Sequence, residues 1–519
     1  MLVTYRDISS FYSNTQLKTV FMKRLYIITV LVALLSVSCN DWLDVRPDTE
    51  QKDKDLFTTY KGFQDALTGC YMSLASQDVY GERLTMSNIE SLANLWYQFR
   101  NSTRYEDNDL MNHDYTGDYS KTAVKTIYAG LFNVIAQANM IIKYAEKNGD
   151  VIDDPAARAV ITGEAYAIRA FCQLDVLRLF GQMPQGASRQ VELPYSETTS
   201  IDEMPAYYSF DDYVVKLESD LSKAESLLKD NDPLFQYTFS ELNSANGNEL
   251  SDSYMYYRQS RMNYWAVKAI QARMYLYLGK KDKAYTLAKE IIEAKGADGE
   301  LVMTMSGETD IAKGYKACPS ECLLYLSKYD VKTYSSVFLI GNKADQQAGP
   351  SHLVISSSML SDLYEGQNTG SHNRYLNCWN RNVKDASANL YGALAKYYFA
   401  DDAENQMLYY QIIPLLRMSE VYLIAMETSS DLDEINEWYH DYMLAHSVVL
   451  NEAGFSALSE VSGEMVNEYR REFYGEGQMF YTYKRTGATT MLWGNGNADE
   501  NVYIVPLPET EYNPNSQIK

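Results

Sequence analysis

Apolar side chains recur every three or four positions along most of this chain, with polar residues filling the opposite face. From Tyr60 to Ser76 the series Phe63, Leu67, Cys70, Tyr71 and Leu74 keeps that spacing and predicts a helix. The same period predicts long amphipathic helices over Lys121 to Lys147 and Pro155 to Phe180. Pro155 opens the second as a first-turn proline, and Gly181 with Pro184 closes it. Phe210 to Lys229 reads as a helix with an acidic outer face. Asn263 to Lys295 reads as a helical hairpin broken at Gly279-Lys280-Lys281. Ile413 to Glu427 and Ile435 to His446 form a further pair, and Glu464 to Phe480 is the last long helix. The predicted fold class is all-α.

Two stretches break the period. Gln77 to Tyr119 is rich in Asn, Asp, Ser and Tyr. Gly299 to Leu390 mixes loops with short β-like runs at Cys322 to Leu326, Val337 to Ile340 and His352 to Ile355. Irregular segments this long inside a helical protein carry function or are disordered, and their aromatic content argues against disorder. Asn501 to Glu511 reads as an extended terminal stretch punctuated by Pro506 and Pro508.

In the hairpin, Ala272, Tyr275, Gly279 and Ala284 give a small residue, an aromatic, a turn glycine and a second small residue. That order resembles a tetratricopeptide repeat. Ala167 to Gly181, Leu416 to Thr428 and the Tyr60 helix look like partner helices. A lone helical pair cannot bury its apolar face, so several such units must stack.

The N-terminus has a different pattern. Leu25 to Val37 is an uncharged, mostly apolar run preceded by Lys23 and Arg24 and followed by Ser38 and Cys39. A basic flank, a short apolar run and small exit residues make a secretory signal, so residues 1–38 are expected to be a signal peptide. The run is too short to span a bilayer, which needs roughly 20 apolar residues. Met22 is an alternative start, which would make 1–21 an upstream extension. Cys39 resembles the lipidated cysteine of a bacterial lipobox, although Ser36 stands where that pattern has leucine. The acidic Asn40-Asp41-Trp42-Leu43-Asp44 flank resembles that of Bacteroidetes lipoproteins displayed at the cell surface.

The rest of the chain, 39–519, is long enough for a large core in one domain or two coupled ones. The formal charge is −23, and residues 1–38 carry four basic side chains and one acidic one, so 39–519 is near −26. Such a surface repels nucleic-acid phosphates, which excludes DNA and RNA as partners. With Cys39 lipidated, Cys70, Cys172, Cys318, Cys322 and Cys378 remain; the odd number predicts buried free thiols rather than a disulfide framework. The five scattered histidines lack zinc spacing, so no metal site is assigned. The acidic run Glu106 to Asp109 with Asp114 and Asp118 could hold a structural calcium, but it lacks the EF-hand spacing and is read as a solvated loop. Tyrosine is the compositional outlier, 45 against 16 Phe. It suits wet grooves and sugar-binding surfaces alike, because the ring stacks while the hydroxyl finds a polar partner.

Six blocks in order resemble the SusD/RagB family of outer-membrane nutrient-binding lipoproteins. They are Cys39 to Pro47; Glu164 to Ala170 running on to Gly181 and Pro184; the Ala272 to Ala284 hairpin; Pro414 to Ala425; Arg471 to Gly477; and Val505 to Glu511 with Asn513-Pro514. Met479 and Thr482 depart from the arginine and aspartate common in members. The resemblance implies a tetratricopeptide-like fold, with Gln77–Tyr119 and Gly299–Leu390 as irregular insertions on a loop-rich ligand face. It implies a lipid-anchored protein on the outside of the outer membrane. Such a protein would capture an oligosaccharide, or a peptide as in RagB, and pass it to a SusC-like TonB-dependent transporter. No cofactor is implied.

In such a site, sugar C–H faces pack on aromatic rings while polar side chains meet the hydroxyls. Trp96, Tyr97, Tyr375 and Trp379 are the candidate ligand-binding residues, because they lie in the two irregular segments. Glu164, Arg169, Arg417, Glu420, Arg471 and Glu476 are read as structural ion pairs between helices. The rival reading is a surface glycosidase or peptidase, the glycosidase using Glu472 and Glu476, which stand four apart on one helical face. Such an enzyme needs one carboxyl of raised pKa in a cleft, and no hydrolase, P-loop or zinc-protease motif occurs, so no catalytic residue is assigned. A third reading is a scaffold that binds only protein.

Overall fold

A computed structural model describes residues 55–200, 202–244, 247, 249–341, 347–399, 407–450 and 454–511. The signal-peptide reading, Cys39 with the Cys39 to Pro47 block, and Asn513-Pro514 lie outside the described residues. The chain divides into two compact units, Met1–Thr58 and Thr59–Lys519. In the first unit, the Thr58 hydroxyl donates to the Asp55 carbonyl at 2.7 Å.

The frame of the second unit is a series of packed helices, here numbered for those of eight residues or more. They are α1 (Tyr60–Leu74), α2 (Asp118–Asn148), α3 (Pro155–Phe180), α4 (Phe210–Leu228), α5 (Tyr264–Tyr277), α6 (Lys281–Glu293), α7 (Met418–Thr428), α8 (Leu432–Ala445), α9 (Leu458–Glu472) and α10 (Met479–Thr486). Each of α1 to α7 packs on the next in sequence, and α8 and α9 both pack on α7. This is the stacking that a repeat architecture requires. The mostly-α fold agrees with the periodicity.

Local chemistry explains the boundaries. Asp154 caps α3 by accepting the Ala156 N–H at 2.9 Å, and Pro155 takes a first-turn place that needs no donor. Gly181 ends the helix where a side chain would stand 2.4 Å from the Leu177 carbonyl. From Gly163 to Phe180 every residue of α3 is buried, as expected of a helix enclosed by neighbours. Asn263 caps α5, and Gly279, with φ +70°, makes the left-handed turn into α6. Ala272 and Ala284 are both fully buried where the two helices meet.

The strands are short. β1 (Leu193–Pro194) pairs with β2 (Tyr207–Tyr208); β3 (Cys322–Ser327) pairs with β7 (Ile412–Arg417); β4 (Ile355–Ser356), β6 (Leu390–Leu394) and β5 (Trp379–Lys384) form a sheet in that order, all antiparallel. Two sequence expectations are corrected here. Ile413–Arg417 is strand rather than the start of a helix, because an unbroken apolar run buried throughout suits a strand as well as a helix. Pro414 is tolerated because, among the described residues, β7 pairs with β3 alone and needs no donor on its other edge. Val337 to Ile340 is not a strand; its backbone turns back on Ser335.

The expected helix over Glu464 to Phe480 is split into α9 and α10 by a turn holding Gly475 and Gly477 at φ +78° and +75°. A side chain at Gly477 would meet the Leu84 carbonyl at 2.1 Å, so the turn is pressed against the first irregular segment.

Candidate functional site

The two irregular segments are built into one lobe. The Tyr97 N–H donates to the Val354 carbonyl at 2.7 Å, and the Thr103 N–H to the Pro350 carbonyl at 3.0 Å. The Arg104 guanidinium lies 5.0 Å from the centre of the Phe338 ring.

The four candidate aromatics part company here. Trp96 is 3% exposed and Trp379 is 4% exposed. Both meet Tyr474 edge-on, with ring centres 5.2 and 4.9 Å away, and the Tyr474 hydroxyl donates to the Leu95 carbonyl. This corrects the expectation for the two tryptophans. They form an internal aromatic wedge joining the lobe to the turn after α9, and they offer no open face.

Tyr97 and Tyr375 remain half-buried at the surface. Tyr97 packs edge-on to Phe99 (5.1 Å) and Tyr391 (5.4 Å), and all three rest on Ile340, Val354 and Val383. The Tyr391 hydroxyl donates to Asp385 at 3.1 Å, and Asp385 also accepts from the exposed Asn389. Tyr375 carries the Arg381 guanidinium 4.6 Å from its ring centre, and its far edge meets Tyr364. The result is two aromatic edges, each with amide or guanidinium groups beside it.

Under the lobe lies a buried ionic network. Arg417 donates to Glu321 at 2.7 Å, to Glu472 at 2.6 Å and to Glu476 through two nitrogens at 2.8 and 3.0 Å. Arg374 reaches Glu468 at 2.8 Å and also pairs with Glu472; Lys396 reaches Glu476 at 2.6 Å. Burial alone would raise the Glu472 pKa, but Arg417 and Arg374 outweigh it and hold the carboxylate well below its usual range. Elsewhere Glu164 pairs with Arg258 and Arg261, Arg169 with Asp220, Glu420 with Arg273 and Arg471 with Glu468. All six are in buried ion pairs, but only Arg169 and Glu420 join two helices; Glu164 pairs with the 253–261 loop, Arg417 joins a strand end to the Glu476 turn, and Arg471 pairs within its own helix. The five cysteines from Cys70 onward are buried and free.

The acidic run is engaged by the protein itself. Asp107 is buried and bonded by Arg104, Asn88 and Ser91, while Asp114 accepts from Thr116 in its own turn. Among the described residues no group of three or more His, Cys, Asp or Glu is placed to hold a metal ion.

A feature the sequence reading missed lies beside α1. A cleft of about 450 Å³ opens between the end of α1, the 253–261 loop and the end of β3. Tyr254, Tyr256, Tyr257 and Tyr329 line it. The signal was present in the run Ser253-Tyr-Met-Tyr-Tyr257, the densest tyrosine cluster of an unusually tyrosine-rich chain. No helical or strand periodicity marked it.

Comparison with known proteins fits this architecture. A SusD-like family model, described as starch-binding and associating with the outer membrane, matches residues 41–245. SusD-like protein P2 of Formosa agariphila is 28% identical over 180 residues, and the match spans 34% of this chain and 33% of that protein. A SusD superfamily protein from Bacteroides thetaiotaomicron superposes with a TM-score of 0.64 at 19% identity, covering 87% of this chain and 97% of that one. A laminarin-binding SusD-like protein does so with a TM-score of 0.61 at 17% identity, covering 87% and 97%. At those identities the superpositions speak to the fold alone, which is like that of these SusD-like structures. Over residues 41–245 the chain is similar to that SusD-like family.

Proposed function

We propose that this protein binds nutrient oligosaccharides at the outer membrane and passes them to a SusC-like TonB-dependent transporter, with Cys39 as its lipid anchor. The observation that carries the binding reading is the pair of half-exposed aromatic edges, at Tyr97 and Tyr375, on the lobe made by the two irregular segments. A tyrosine edge flanked by amides and a guanidinium gives a sugar a C–H stacking surface and hydrogen-bond partners together. The laminarin-binding relative of the same fold points to the same ligand class.

The carboxylates that a glycosidase would need are occupied. Glu472 and Glu476 are buried and held by Arg417, Arg374 and Lys396. A general acid must carry a proton near neutral pH, and Arg417 and Arg374 favour the ionised form of Glu472. Binding without turnover is the reading this supports. Among the described residues no helix is long and apolar enough to cross a membrane. Attachment is assigned to Cys39: Cys39→Ala should abolish lipid labelling and release the protein from the outer membrane.

The ligand reading is tested on an array carrying both glycans and peptides. The expected result is retention by glycans, weakened at least several-fold in a Tyr97→Ala/Tyr375→Ala variant. Retention by peptides alone would replace the oligosaccharide with a peptide ligand.

A further inference from the structure

Resting on that reading but on different residues, we propose that the cleft beside α1 is a second saccharide site and that it takes neutral sugars. Three independent observations converge there. The first is its size: about 450 Å³ accommodates one to a few sugar rings.

The second is what stands at its mouth. Tyr329 is 78% exposed and Met72 is 72% exposed, the two most exposed large apolar side chains among the described residues, and both line this cleft. Leaving two such side chains in water costs solvation that a folded chain ordinarily avoids by burial. Their convergence on one opening places apolar surface where a ligand can cover it.

The third is a strained wall. Tyr257 holds a left-handed backbone, φ 58° and ψ 46°, which a bulky aromatic residue rarely adopts. Its N–H is held by the Leu242 carbonyl at 2.7 Å. Next to it, the Tyr254 ring is fixed on one side by the Arg261 guanidinium, 4.0 Å from its centre, and its hydroxyl donates to the Gln64 carbonyl at 3.0 Å. The aromatic wall is thus set before any ligand arrives, which lowers the entropy cost of binding.

The polar lining selects the ligand. Thr68, Ser253, Ser260 and Ser327 contribute hydroxyl groups; Thr68 and Ser260 donate to the Gln64 and Tyr257 carbonyls and are left to accept from sugar hydroxyls. The two cations are already committed: Arg261 to Glu164 at 2.8 Å and Lys328 to Asp330 at 3.2 Å. Among the described residues that line the cleft, no uncommitted cation is left to pair with a uronate, a sulfate or a peptide carboxylate. A neutral sugar loses no ionic hydration on entry, whereas an anionic one would lose it without a partner.

Titration calorimetry on the full chain separates the outcomes. The probes are neutral laminari-, cello-, malto-, xylo- and mannohexaose, with oligogalacturonate and a tetrapeptide library as contrasts. At least one neutral hexaose should bind wild type, and in a Tyr97→Ala/Tyr375→Ala background, which keeps the cleft, Tyr329→Ala and Tyr254→Ala should each weaken the remaining binding at least fivefold. Tyr329 is so exposed that its removal should leave the melting temperature unchanged, so a loss of binding there reports on the cleft. In that background, no remaining binding, or binding of a neutral hexaose that survives both substitutions, overturns the cleft while leaving the saccharide reading intact. For wild type, binding of only oligogalacturonate or peptide overturns the neutral-sugar assignment, and no binding of any saccharide overturns the function itself.

Discussion

Arg417 Nη1 lies 2.6 Å from Glu472 Oε1, joining the last residue of β7 to the last residue of α9 inside the protein. Each is 3% exposed. The same guanidinium also serves Glu321 and Glu476, so one cation ties a strand, a turn and a helix end.

Removing that cation should leave three buried carboxylates facing one another with reduced compensation. Arg417→Met is expected to destabilise the protein by about 3–5 kcal/mol, the usual cost of breaking a buried pair on one side. Urea unfolding followed by fluorescence measures it. A change below about 1 kcal/mol, the scale of an exposed pair, would show that the network does not tie these elements together.

Glu90 gives the fold a pH dependence. It is 1% exposed, and one carboxylate oxygen accepts the Gly477 N–H at 2.7 Å. Burial pushes its pKa up to about 8, against the opposing pull of the Gly477 N–H and Lys396. The folded state therefore holds a proton that the unfolded state releases from about pH 4.5 upward. Stability from this group is present below that pH and is lost as pH rises toward 8. Wild type should lose melting temperature relative to Glu90→Gln between pH 5 and 9. Parallel curves for the two proteins would contradict the assignment.

Trp96 and Trp379 should matter to folding. Either tryptophan replaced by alanine removes a buried ring from the contact with Tyr474, at about 3–5 kcal/mol. Any protein that folds should bind saccharide with the affinity of wild type. Chemical denaturation and a binding titration on the same preparation separate the two effects. A large loss of affinity with unchanged stability would restore the tryptophans to the ligand surface.

What could be read in advance depended on distance along the chain. The run Glu164 to Pro184 carries its helix start, stop and charged residues within one window, and its reading matches α3 and its ion pairs. The Ala272 to Ala284 hairpin is equally local. Ile413 to Arg417 misled because a short apolar run has no period to separate strand from helix. The tryptophans misled because their burial is set by Tyr474, nearly 380 positions from Trp96 in one case and brought close only by the turn at Gly475 and Gly477. The cleft was hidden for the same reason: its walls come from 68–75, 253–261 and 326–329. Lipidation at Cys39 and transfer to a transporter rest on the family resemblance and the signal-like N-terminus.

A saccharide should bind this protein and be released from it unchanged. The most direct measurement is to titrate the protein with laminarin and the neutral hexaoses, then recover the bound sugar and determine its length by mass spectrometry. Saturable binding of at least one of them and quantitative recovery at the original length are expected. No saturable binding, or recovery of shortened products, would contradict it.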